Sequence, residues 1–195
     1  LMEGISHEAI SLAGHLGLGK LIVFFDDNGI SIDGSTDLAV SDDQVMRFKA
    51  AGWNTTRVDG HDPAAISEAI KTARADSSKP WLIACKTTIG YGSPNKQGKS
   101  SSHGSPLGQE EIALARETIH WKAEPFVVPS ETLDAWRIAG LRNAKTRKAW
   151  EERMTALLAD ERSEFERRIA GDLPADLGKA IAAFKEKLVA EKPKW

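Results

Sequence analysis

The sequence holds one cysteine, Cys85, among 195 residues, which excludes an intramolecular disulfide and a thiolate zinc cluster. It has no apolar run near the roughly 18 residues of a membrane-spanning helix; the longest candidate, Leu21 to Phe25, is the size of a strand. Neither charge is in excess: 26 lysines and arginines against 28 aspartates and glutamates leave a formal net charge of -2. That is too small for a surface built to hold a polyanion, and Trp81 and Tyr91 lack the repeated basic setting of a single-strand binder. Leu1 to Ile5 has no basic region followed by an apolar core, so it does not read as a signal peptide. It runs straight into a helical pattern, which leads us to expect a fragment that begins in mid-element. These absences fit a cytoplasmic protein with neither nucleic acid nor membrane as a partner. What is present, 41% hydrophobic and 28% charged residues, suits one packed domain with an appendage.

Ser6 to Leu18 places Ala9, Ile10, Leu12, Ala13 and Leu16 at helical spacing, with Ser6 as the expected N-cap. Leu21–Phe25 is a continuous apolar run, expected of a strand covered on both faces. Ser41 and Gln44 have the spacing of a capping box ahead of a second helix through Val45, Met46 and Phe48. Asn54 to Val58 reads as a strand, Asp62-Pro63 opens a helix, and Trp81 to Lys86 is a further buried strand. Helix and strand alternate, so the fold class is α/β, a parallel sheet with helices on both faces.

From Thr87 to Leu107 periodicity fades into glycine, serine and lysine, a long loop of the kind that is usually functional. Gln109 to Thr118 is helical, Pro129-Ser130 precedes another helix, and Ala144 to Ile169 reads as one long helix. Trp150, Met154, Leu157, Phe165 and Ile169 are spaced along one side of it, and a charged amphipathic helix over Asp176 to Ala190 follows. The sign-alternating charges from Arg142 to Arg168 belong to a solvated face. His7, His15, His61 and His120 share no metal-ligand spacing and read as packing or surface residues, and Cys85 as a small buried hydrophobe.

The informative feature lies beyond the first strand, at Asp26-Asp27-Asn28-Gly29-Ile30-Ser31-Ile32-Asp33-Gly34. Open parallel sheets bind ligands beyond the carboxyl ends of their strands. An asparagine oxygen on a sharply bent backbone suits a hard cation such as Mg²⁺ or Ca²⁺ bridging phosphates, although Asn-Gly is more often simply a turn. This string resembles the end of the thiamine-diphosphate motif of transketolases, and Leu1 to Ala9 resembles the segment that follows the Gly-Asp-Gly of that motif. Lys86 to Lys96 and Ser102-His103-Gly104-Ser105-Pro106-Leu107-Gly108 match in order, as do Phe126 to Pro129 and the charged helical tail.

The resemblance implies the thiamine-diphosphate-binding fold, incomplete at the N-terminus and followed by a C-terminal helical extension. Residues 1–128 would be the later part of the diphosphate-binding domain, and 129–195 the extension and the start of a linker to a pyrimidine domain. It implies thiamine diphosphate with Mg²⁺ or Ca²⁺, the metal being held by the Asn28 side chain and the Ile30 carbonyl. Asn28 would also face the diphosphate, and Ile32 would pack on the cofactor rings. His103 would be the catalytic histidine, reaching the diphosphate and the substrate hydroxyls. Glu3 and Glu8 would lie at a homodimer interface, Glu3 being the better candidate. The activity implied is reversible transfer of a two-carbon ketol unit from a ketose phosphate to an aldose phosphate, in the pentose phosphate pathway. Dihydroxyacetone synthase and deoxyxylulose-phosphate synthase are the enzymatic alternatives, and a non-catalytic truncated module is the third. Because the motif aspartate precedes Leu1, the chain by itself is expected to be inactive.

Overall fold

Three strands, β1 (Ile22–Asp27), β2 (Asn54–Asp59) and β3 (Trp81–Lys86), form a parallel sheet in the order β1-β3-β2. The computed structural model describes residues 4–192. Helix α1 (Gly4–His15) precedes β1, α2 (Gln44–Ala50) joins β1 to β2, and α3 (Pro63–Ala75) joins β2 to β3. Successive side chains of a strand point to opposite faces, and the core divides accordingly. Leu82 packs with Ile10 and Ala13 of α1, Phe48 of α2 and Trp53. Ile83 and Cys85 pack on the other face, against Ala69 and Ala73 of α3. The α/β expectation with helices on both faces therefore holds. Phe48, Leu82 and Ile83 are all but fully buried, and each such side chain contributes about 1.5–3 kcal/mol of transfer free energy. The Trp53 indole N–H donates to the Ile10 carbonyl at 2.9 Å and its ring meets Phe48 edge-on, tying α1 to α2.

Several local expectations differ from the structure. The run Leu21–Phe25 is not fully covered: among the described residues β1 stands at an edge of the sheet, and Phe24 is 49% exposed. The strand buried on both sides is β3, because it lies in the middle. On α1 only Ile10 and Ala13 are buried, while Leu12, and Leu16 just past its end, are exposed, and Ser6 lies inside the helix rather than at its cap. The cap of α2 is Asp43, whose carboxylate accepts the Met46 N–H, in place of the Ser41–Gln44 box. An ionised acceptor two residues closer to the helix outcompetes the hydroxyl. For α3 the expectation holds: Asp62 accepts from Ala64 and Ala65, with Pro63 at the first position.

Asp27, Lys86 and Asp59 are register partners across the sheet. The segments after the three strands therefore leave from one edge. The third runs through the long loop to α4 (Gln109–Thr118), and the chain divides into two units between Lys122 and Ala123; the expected boundary is 128/129.

The second unit contains α5 (Ser130–Leu141), α6 (Ala144–Ala156), α7 (Ala159–Ala170) and α8 (Leu177–Glu191). The single long helix expected over 144–169 is broken at Leu157-Leu158, both in extended conformation. The break brings Trp150 of α6 to Phe165 of α7, ring centroids 6.5 Å apart. A straight helix would leave that apolar stripe without a partner. Asp160 and Glu161 in the first turn of α7 favour a fresh start there, and Glu161 accepts the Leu158 N–H. Among the described residues no helix is long and apolar enough to cross a membrane.

Candidate functional site

Beyond β1 the chain turns at Asn28-Gly29, with Gly29 in the left-handed region at φ 71°, a conformation that glycine adopts without steric cost. The Asn28 Oδ1 accepts the Ile30 N–H at 2.9 Å, and its Nδ2 donates to Asp26 Oδ2 at 3.1 Å. The side-chain amide is thus fixed at both ends. Ile30 pairs with Ser35 in an isolated antiparallel bridge whose hydrogen bonds run from Ser31 to Gly34 and from Thr36 to Gly29. That bridge passes over both polar groups of Ile30. Its N–H goes to Asn28, and its carbonyl stays out of the ladder. One short turn therefore presents two oxygens, Asn28 Oδ1 and the Ile30 carbonyl, both on half-buried residues.

Asn28 and Ile30 line a cavity of about 490 Å³ with Asp26, Asp27, Thr36 and Asp43. Arg57 spans its wall, 2.8 Å from Asp43 and 3.9 Å from Asp27. The Met46 N–H, and then Arg57, hold the Asp43 carboxyl below its ordinary range. Asp27 also lies 3.8 Å from the Lys86 ammonium. The donor set suits a hard cation in kind, since it is oxygen only. It is partial in number: among the described residues no group of three or more His, Cys, Asp or Glu side chains is placed to hold a metal.

The other expected residues stand apart from this cavity. Ile32, at the tip of the turn, is 71% exposed. His103 is exposed at the far end of the long loop, where its N–H donates to the Ser100 carbonyl. Glu8 is exposed on α1, and Glu3 lies outside the described residues. The structure brings Asn28 and Ile30 together and leaves Ile32, His103 and Glu8 at separate positions.

Sequence reasoning passed over Asp26. One of its oxygens orients Asn28 and the other accepts the Thr87 hydroxyl from the root of the loop that carries His103. The signal lay in the Asp-Asp-Asn-Gly string itself: a carboxylate two residues before an asparagine in a turn can hold the amide.

Glu111 was passed over as well. Although it is ionisable it is only 7% exposed. It accepts from the Ser93 hydroxyl, from Asn95 N at 2.8 Å and from Asn95 Nδ2 at 2.9 Å. The Ser93 and Asn95 donors, with Lys96 nearby, hold its pKa at about 2. A depressed carboxyl pKa contributes stability above the unfolded-state value, near 4.5, and that contribution is lost as pH falls toward about 2. Glu111→Gln is therefore expected to melt roughly 3 °C below the parent at pH 7. The gap should close as pH drops from 5 to 3, followed by circular dichroism; an offset independent of pH would refute this reading.

The family model described as "Transketolase, thiamine diphosphate binding domain" matches residues 1–174. The chain is 51% identical over 194 residues to a transketolase of Cereibacter sphaeroides, covering all of this chain and 29% of that protein. It is 50% identical to transketolase 1 of Escherichia coli (strain K12), covering all of this chain and 30% of the relative. Among solved structures, a Pichia stipitis transketolase in complex with sedoheptulose-7-phosphate superposes with a TM-score of 0.79. It is 40% identical over 92% of this chain and 27% of that one. A transketolase from Leishmania mexicana also gives 0.79, at 37% identity, over 89% of this chain and 27% of its own. The chain thus spans about 30% of the length of the curated relatives it matches.

Proposed function

The chain belongs to the transketolase family, in the part matched by its thiamine diphosphate binding domain, and from that premise we propose that the protein carrying it transfers a two-carbon ketol unit from a ketose phosphate to an aldose phosphate. The observation that carries the proposal is the Asn28–Ile30 turn. It sets two oxygens beyond the end of β1 and locks their geometry through Asp26. Such a turn suits Mg²⁺ or Ca²⁺ on a diphosphate, with the remaining coordination supplied from elsewhere.

Thiamine diphosphate, when bound, supplies the nucleophilic carbon and the electron sink for cleaving the carbon–carbon bond. This chain's residues position and balance charge. The Asn28 oxygen and the Ile30 carbonyl would hold the cation, and the Asn28 amide would face the diphosphate. Ile32 is apolar and exposed, free to pack on an aromatic ring. His103, on the loop that begins at the same sheet edge, donates to substrate oxygens or exchanges a proton there. Glu8, exposed on α1, and Glu3 are proposed to contact a second subunit in a homodimer.

The test is ketol transfer from xylulose 5-phosphate to ribose 5-phosphate by the longest polypeptide that contains this sequence, with thiamine diphosphate and Mg²⁺. Product formation that depends on both additions is expected. Saturable cofactor binding without transfer to any sugar-phosphate acceptor would overturn the assignment.

A further inference from the structure

His61 has no part in the chemistry above, yet its ring makes two specific contacts at the root of the long loop. The turn after β2 is drawn onto the end of β3, where Gly60 N–H donates to the Lys86 carbonyl at 2.8 Å. A Cβ on Gly60 would collide with Thr87 Cγ2 and sit 2.9 Å from the Lys86 oxygen, so the approach needs glycine. It delivers His61 to the first residues of the loop. Nε2 of His61 accepts the Thr88 N–H at 2.9 Å, and the ring stacks on Tyr91 with centroids 4.0 Å apart and planes 23° from parallel. The backbone N–H of His61 donates to Asp59 Oδ1 at 2.8 Å, which fixes the turn. An imidazole that accepts at Nε2 carries its proton on Nδ1, so only the neutral ring can make the Thr88 contact.

What hangs from this root is a self-bonded body. Gly98 N–H closes on the Ile89 carbonyl at 2.8 Å, Ser102 Oγ on the Lys96 carbonyl at 2.6 Å, and Ser93 N–H on the Gly90 carbonyl at 3.0 Å. A Cβ on Gly90 would lie 2.7 Å from Ser102 Oγ, so the loop's beginning and end are in contact. His103 follows Ser102 directly. A shift at Thr88 is carried through this body rather than absorbed within it.

We propose that His61 is a positioning residue that fixes the root of the Thr87–Leu107 loop through its neutral Nε2 and thereby places His103. The role assigned to His103 comes from the ketol-transfer reading, on which the activity part of this inference rests. The charged residues lining the cavity that His61 shares are Arg57 and Asp59 of β2 and Lys86 of β3.

The experiment compares His61→Gln, which can offer an acceptor where Nε2 stood, with His61→Phe, which keeps a stacking ring and no acceptor. Protection of the Thr88 amide against exchange is expected to fall roughly tenfold in the phenylalanine variant, the scale of one lost hydrogen bond. It should return to near the parent level with glutamine. Ketol transfer by the full polypeptide is expected to drop about fivefold with phenylalanine and to recover with glutamine. Equal Thr88 protection in the phenylalanine variant and the parent would overturn the proposal, since the ring would then act only by stacking. Lost protection with unchanged transfer would overturn it too, because the loop root would not reach His103. The exchange readout needs no turnover, so its failure is distinguishable from failure of the ketol-transfer reading.

Discussion

Asn28→Ala is expected to lower ketol transfer on the order of 100-fold or more at fixed cofactor, mainly by raising the concentrations of metal and thiamine diphosphate that half-saturate the protein. Losing one oriented outer-shell partner of a metal site costs about 10–100-fold in affinity or activity, and here a proposed ligand itself is removed. Three contacts go with one side chain. The proposed cation site loses an oxygen, the Ile30 N–H loses its acceptor, and Asp26 loses a donor. Without that acceptor the turn no longer fixes the Ile30 carbonyl, so the second oxygen drifts with the first. Asn28→Asp separates geometry from charge. It keeps an acceptor for Ile30 but sets a second carboxylate beside Asp26 and beside the diphosphate, where like charges repel. Its cofactor affinity should fall less than that of the alanine variant at high Mg²⁺ and diverge from the parent as Mg²⁺ is lowered. Titration by calorimetry at two metal concentrations measures this. Cofactor saturation unchanged in Asn28→Ala would remove the turn from the site.

His103→Ala should lower kcat/KM for ketol transfer by about 10²-fold, the lower end of what a positioned acid or base supplies. Its effect should fall on the sugar substrate more than on cofactor binding, since the oxygens of the proposed cation site lie on the other arm of the sheet edge. His103→Asn keeps a donor and abolishes proton exchange near neutral pH. If donation to substrate oxygens is the whole role, asparagine should restore a large part of the rate. If proton exchange is required, alanine and asparagine should be equally slow, with a flattened pH profile. Steady-state kinetics with donor and acceptor varied separately decide. A kcat/KM within twofold of the parent in both variants would remove His103 from the chemistry.

The layered α/β fold was legible because its signals are local and redundant. Asp62-Pro63 announces α3, and the run Trp81–Lys86 announces a buried strand. Burial was misread where it depends on neighbours that a sequence does not display. Leu21–Phe25 is as apolar as the centre strand, yet strand order puts it at an edge. The 144–169 helix was read as continuous because nothing in Leu157-Leu158 breaks helices by propensity; the partner for Trp150 across the bend is a tertiary fact. Site residues with a backbone motif of their own, Asn28 and Ile30, could be located from the string that holds them. Glu111 and His61 could not, because each acts on hydrogen-bond partners 16 to 27 positions away and neither belongs to a pattern with short spacing.

The strand order has a consequence for how the molecule is made. In synthesis β1 and β2 emerge before β3, yet neither can pair with the other, since the place between them belongs to the strand still to come. The edge of Ile22–Asp27 that pairs with β3 stays open through nearly sixty residues of growing chain, an interval in which an apolar, β-prone stretch invites mispairing. The acidic pair Asp26-Asp27 at its end acts as a gatekeeper against such errors. When β3 slots in, pairing on both sides and the carboxylate–Thr87 link form together. The strand end that carries Asp26 and the Asn28 turn is therefore tied to β3 and to Thr87 only once that later strand has been made.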